Sequence, residues 1–126
     1  MLKRLPMRKQ SKSKSAPPFL LASITGIQYW VTSKADLRAL QRRLKTGLKL
    51  RIFREPKNKH DRYACAVYVG KKQVGYFPRY DARQIAPLID SGQPYKFYLL
   101  EFERNGPIIY WNTLRVIGIR QCDSIT

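Results

Sequence analysis

The chain is short of acid. Against 25 lysines and arginines it carries only 8 aspartates and glutamates in 126 residues, a formal net charge of +17. Those acids are dispersed, whereas a metal-dependent nuclease gathers several around its ions; Glu55 and Asp61 are the nearest approach to a catalytic pair. Histidine is scarcer still. His60 stands alone, which excludes a Cys/His zinc site, and neither serine nor cysteine neighbours it to form a nucleophile–base pair. The two cysteines, Cys65 and Cys122, lie far apart without metal-ligand companions, and Cys65 in "ACAV" reads as a buried, reduced thiol in a strand. No apolar run approaches the ~20 residues of a membrane span. The start, "MLKRLPMRKQSKSKSAPP", lacks the hydrophobic region of a secretory signal. Together these absences argue for a non-enzymatic, cytoplasmic protein needing neither metal nor cofactor.

What is present is a foldable chain with a great excess of positive charge. A hydrophobic fraction of 44% and an aromatic fraction of 12% are those of a globular protein, and the length suits one domain with a single core. The charge exceeds what solubility needs and points to a polyanionic partner, nucleic acid before an anionic membrane. A surface that is merely lysine-rich is the bland alternative.

Residues 1–18 read as a disordered basic tail: Lys3, Arg4, Arg8, Lys9, Lys12 and Lys14 occur without one acid, among serines. Such a tail neutralises phosphates without reading sequence, or merely solubilises. Residues 19–122 read as the folded domain. "FLLASITGIQYWV", Phe19 to Val31, is β-rich and is expected to be the first strand, with Gly26 at a bulge or close approach. "SKADLRALQRRLKTG" changes period: Ser33 and Asp36 resemble a capping box, Leu37, Leu40 and Leu44 recur at helical spacing, and Gly47 is a stop. Its basic side is a solvated face or a phosphate-tracking one.

Strand alternation returns at Leu48 to Arg54. "ACAVYV" and "KQVGYFP" flank a tight turn at Gly70-Lys71 and form a hairpin. "YDARQIAPLIDSG" suggests a second short helix, broken or kinked near Pro87 and ended by Gly92. "YKFYLLEFER" and "IIYWNTLRVIGI" are the last strands, joined by "NGP". Tyr110 and Trp111 there are further stacking candidates. The expected architecture is a small, mostly β, barrel-like domain with two short helices.

The chemistry concentrates between two of these strands, in "REPKNKHD". Followed by "A-x-A-V" and then "VGYFPR", this loop resembles the HIRAN domain, a module of helicase-like fork-remodelling proteins and of stand-alone bacterial proteins. The likeness runs from about Leu21 to about Glu103. It implies an OB-like β-fold that binds single-stranded DNA and captures a free 3′-hydroxyl end. Asp61 matches the family's aspartate and would accept the hydroxyl while repelling a terminal phosphate; the alternative is a turn-forming residue or a partner of Arg54 or Arg62. Asn58 matches the same signature and equally suits a turn. Tyr29 matches a base-stacking tyrosine, with Trp30 then directed inward by strand alternation.

The sequence also departs from helicase-type relatives. His60 stands where they carry a stacking tyrosine, Gln28 where they carry an arginine, and Tyr76 where some carry a phosphate-binding histidine. Arg79 is a natural phosphate ligand after Pro78, whereas Arg54 either forks onto phosphate or pairs with Asp61 or Glu55. Phe77 reads as core. The expected partner is single-stranded DNA at its 3′ end, in repair or fork processing, with a helicase or nuclease supplying any motor or cutting activity, since no ATP-binding motif is present. An RNA-binding module and a recruiting adaptor are the rival readings.

Overall fold

Alternation of apolar and polar residues builds six strands: β1 (Phe19–Ser23), β2 (Lys49–Arg54), β3 (Cys65–Val69), β4 (Lys72–Tyr76), β5 (Tyr95–Glu101) and β6 (Arg115–Arg120). In this computed structural model, which describes residues 16–102 and 114–121, they form one antiparallel sheet in the order β1-β6-β5-β2-β3-β4. Three helices accompany it: α1 (Ile27–Trp30), α2 (Lys34–Arg43) and α3 (Arg79–Asp90). Residues 1–15, the "NGP" connection with Tyr110 and Trp111, and Cys122 lie outside the described residues.

The sheet curls into a half-barrel whose edges meet. The chain leaving edge strand β1 reaches the opposite edge, β4, where Thr25 and Tyr76 form an isolated antiparallel bridge. Thr25 N donates to Tyr76 O at 2.8 Å, and Tyr76 N donates to Thr25 O at 3.0 Å. Gly75 makes this approach feasible: a Cβ on it would sit 2.4 Å from Thr25 O and 2.9 Å from Ile24 Cγ2. Closure of this kind pairs backbone groups that an edge strand would otherwise leave open.

Inside the curl, Ile24, Ile27, Val67, Val74, Leu99 and Val116 are each almost wholly excluded from solvent. Burying such a side chain stabilises by about 1.5–3 kcal/mol. β5 alternates as a strand should: Phe97 and Leu99 are buried, while Tyr98 and Leu100 on the other face are half-exposed. Helix α2 begins as its sequence implies, with Ser33 Oγ accepting from Asp36 N at 3.0 Å, and it buries Leu40 and then Leu44.

Two elements differ from the sequence reading. The expected strand from Phe19 to Val31 ends at Ser23, and Ile27–Trp30 is a one-turn helix, so the helices number three rather than two. Gly26 causes the break: at φ 83° it sits in the left-handed region and turns the chain into α1. On a helix the strand alternation no longer applies, so Ile27 is the buried residue, and Trp30 is 36% exposed rather than directed inward. The second helix also runs through Pro87 to Asp90 without a break. It buries Ala82, Ile85 and Ala86 ahead of that proline, so packing anchors the helix before the missing N–H is felt.

Candidate nucleic-acid interface

The loop between β2 and β3 is held by its own polar side chains. Asn58 Oδ1 accepts from His60 N at 2.8 Å and from Asp61 N at 3.1 Å, and its Nδ2 donates to Glu55 Oε1 at 2.9 Å. Asp61 Oδ1 accepts from Tyr63 N at 2.9 Å. The backbone closes the same loop, with Glu55 N donating to Ala64 O at 2.9 Å. Short polar side chains that bond the backbone two or three residues on favour a fixed turn. Asn58 is thereby an organiser whose side-chain atoms are already engaged.

Two outside groups brace the loop. Tyr76 donates its hydroxyl to Glu55 Oε1 at 2.8 Å, and burial, followed by that bond, raises its pKa above the usual phenol value. Arg79, at the start of α3, donates from Nη2 to His60 O at 3.0 Å. Behind the loop, Cys65 is fully buried. Burial pushes its thiol up to about 11, which leaves it without thiolate reactivity at neutral pH.

The result is a two-lobed trench. The smaller lobe, about 270 Å³, has Thr25, Ala64 and Phe77 in its wall, with Asn58, His60, Asp61, Tyr76 and Arg79 beside them. The larger, about 600 Å³, shares His60, Asp61 and Arg79 and adds Arg62, Tyr63, Tyr80 and Arg83. Of the residues expected from the sequence, five therefore meet in one cleft: Asn58, His60, Asp61, Tyr76 and Arg79. Gln28 and Tyr29 are exposed on α1 and do not line it. Tyr29, 76% exposed, nevertheless adjoins Trp30, whose ring centroid lies 6.1 Å from that of Tyr76.

Arg54 requires correction. It pairs with neither Asp61 nor Glu55. Its Nε donates to Asp90 Oδ1 at 2.9 Å and its Nη2 to Asp90 Oδ2 at 3.0 Å. The same guanidinium reaches Ala64 O at 2.7 Å and Arg62 O at 3.0 Å. With all three nitrogens committed and the side chain 11% exposed, it clamps the loop to the end of α3.

Sequence reasoning missed Glu55 as the acceptor shared by Asn58 and Tyr76, Asp90 as the partner of Arg54, and the α3 residues Tyr80 and Arg83. For Arg83 the spacing carried part of a signal: it is four residues on from Arg79 and so shares its side of the helix, though the spacing does not show that this side meets the loop. Among the described residues no group of three or more His, Cys, Asp or Glu side chains is placed to hold a metal ion. No helix among them is long and apolar enough to cross a membrane.

The family model of the HIRAN domain matches residues 19–99. The chain belongs to the HIRAN domain family. Two solved structures share its fold. One is the HIRAN domain of human HLTF, at TM-score 0.61 and 18% identity, covering 81% of this chain and 74% of that one. The other is a protein from Lactobacillus plantarum, at TM-score 0.65 and 22% identity, covering 81% of this chain and 94% of that one. No curated protein matches the chain. The half-barrel is thus the OB-like HIRAN fold, and family and fold together support a DNA-binding module.

Proposed function

We propose that this HIRAN domain is a non-enzymatic module that captures the free 3′-hydroxyl end of single-stranded DNA in the smaller lobe, within repair or replication-fork processing. The observation that carries the reading is the state of Asp61. Its Oδ1 is committed to Tyr63 N at 2.9 Å, while Oδ2 accepts no hydrogen bond among the described residues. Asp61 lines a cleft walled by Ala64 and Phe77 and flanked by Arg79. A fixed carboxylate beside an arginine discriminates in both directions. It accepts a bond from a terminal hydroxyl and repels a terminal phosphate, while the guanidinium takes the internal phosphodiester.

The remaining residues fall into two groups. His60 offers a ring to the terminal base, and Tyr29 offers an exposed face to a base outside the cleft; stacking of this kind tolerates any sequence. Arg54, Asn58 and Tyr76 hold the loop in shape, so that little ordering is needed on binding. No base-edge readout follows from this arrangement, and any unwinding or cutting would come from a helicase or nuclease partner. The net charge of +17 adds sequence-independent attraction that weakens with salt.

The test is fluorescence anisotropy with short single-stranded DNAs that differ only in a 3′-hydroxyl or a 3′-phosphate, at two salt concentrations. A hydroxyl preference that persists at the higher salt supports end capture. Equal binding that vanishes with salt refutes it and leaves charge alone as the cause of binding. A matched RNA oligonucleotide in competition decides which sugar the groove prefers.

A further inference from the structure

End capture leaves the larger lobe unexplained. At about 600 Å³ against about 270 Å³ it is the roomier of the two, and His60, Asp61 and Arg79 border both. The large lobe thus adjoins the small one across these three shared residues. The residues found only in the large lobe are Arg62, Tyr63, Tyr80 and Arg83.

Their arrangement is that of a groove for a charged, ring-bearing chain. Three arginines, Arg62, Arg79 and Arg83, face a single acid, Asp61. Arg62 is pre-positioned: its Nη2 donates to Tyr63 Oη at 3.0 Å, and its guanidinium carbon lies 5.0 Å from the Tyr63 ring centroid. Arg83 makes no hydrogen bond or ion pair with any described residue. Tyr80 lies beside Arg79 on α3 and is 75% exposed, an aromatic ring left in water in an arginine-lined cavity. Basic side chains tracking a backbone, with an aromatic face open for a base, are the elements of single-strand binding.

We infer that the large lobe is the track for the nucleotides on the 5′ side of the captured end. Arg62, Arg79 and Arg83 neutralise their phosphates, and Tyr80 stacks one of their bases. The inference rests on the end-capture reading for its direction, since that reading puts the terminus in the small lobe.

A length series tests it: 3′-hydroxyl oligothymidylates of two, four and six nucleotides, bound to wild type, Tyr80→Ala and Arg83→Gln. Both positions are exposed, so the fold is retained. Wild-type affinity rises with length. Tyr80→Ala loses about tenfold on the hexanucleotide, and Arg83→Gln lowers the log–log salt slope by about 0.7. Neither variant changes dinucleotide binding or the preference for hydroxyl over 3′-phosphate. A length dependence that survives both substitutions overturns the inference, whatever the hydroxyl preference. If the variants lose the length dependence but wild type shows no hydroxyl preference, end capture fails and the large lobe stands as a strand-binding groove.

Discussion

Arg54 at the end of β2 and Asp90 at the end of α3 form a two-pronged ion pair, Nε to Oδ1 at 2.9 Å and Nη2 to Oδ2 at 3.0 Å. The two residues are 36 positions apart, and the guanidinium between them also holds the carbonyls of Arg62 and Ala64. One side chain thus ties a strand, a helix and the far arm of the site loop.

Arg54→Ala should therefore act on the loop more than on the ion pair. The half-exposed Asp90 gains little from its partner, whereas the carbonyls of Ala64 and Arg62 both lose a charged donor, Ala64 O keeping only Glu55 N. We expect a destabilisation of about 2 kcal/mol in urea unfolding, together with weaker binding of DNA ends. Arg54→Lys should not restore either property, since a single ammonium cannot reproduce the fork.

The pair also gives stability a pH dependence. Hydrogen bonding from Arg54 holds the Asp90 carboxyl below its ordinary pKa. A carboxyl depressed by folding contributes stability above its unfolded value, and that contribution is lost as pH falls through the folded one. Wild type should thus melt above Asp90→Asn at neutral pH, and the gap should close below about pH 4. Melting temperatures of both proteins measured from pH 7 to pH 3 check the sign; a gap that widens toward acid would contradict the assignment.

Gly75→Ala should open the half-barrel. The added methyl meets the backbone oxygen of Thr25 at 2.4 Å, and backbone cannot swing aside as the tip of a side chain can. The expected cost is about 3 kcal/mol, at the upper end for overpacking. Amide exchange at Thr25 and Tyr76, which exchange two hydrogen bonds across the closure, should accelerate more than exchange within β5 and β6.

Asp61→Asn separates end recognition from general DNA affinity. Asparagine retains an oxygen for Tyr63 N, so the turn should survive. It loses the negative charge that discriminates against phosphate. The variant should bind internal single-stranded DNA like wild type in competition anisotropy, while its preference for a 3′-hydroxyl over a 3′-phosphate disappears. Equal loss across all DNAs would show Asp61 to be structural.

Much of the architecture was legible because it is locally encoded. Ser33 caps the helix it precedes, Leu48 to Arg54 alternates as a strand, and Gly70-Lys71 turns the hairpin, each set by neighbours within a few residues. The loop signature between Arg54 and Asp61, with "VGYFPR" after it, carried the family. It likewise brought five of the expected residues into one cleft, because Tyr76 and Arg79 lie on the strand and helix that border the loop. The strand signal beyond Ser23 misled, since Ile24, Thr25, Ile27 and Val31 have β-forming side chains whatever the backbone does. Gly26 in its left-handed conformation overrode them.

The sequence by itself determined the strands, the capped helix, the charge and the ordered loop, since each follows from periodicity and side-chain chemistry over short spans. The tertiary structure alone decided that Thr25 closes on Tyr76, that Arg54 takes Asp90 rather than Asp61 or a phosphate, and that Tyr80 and Arg83 border the cleft. Those are contacts between residues far apart in the chain. They exist only once the register of six strands has curled the sheet and set α3 beside the loop, and no short-range pattern records that register.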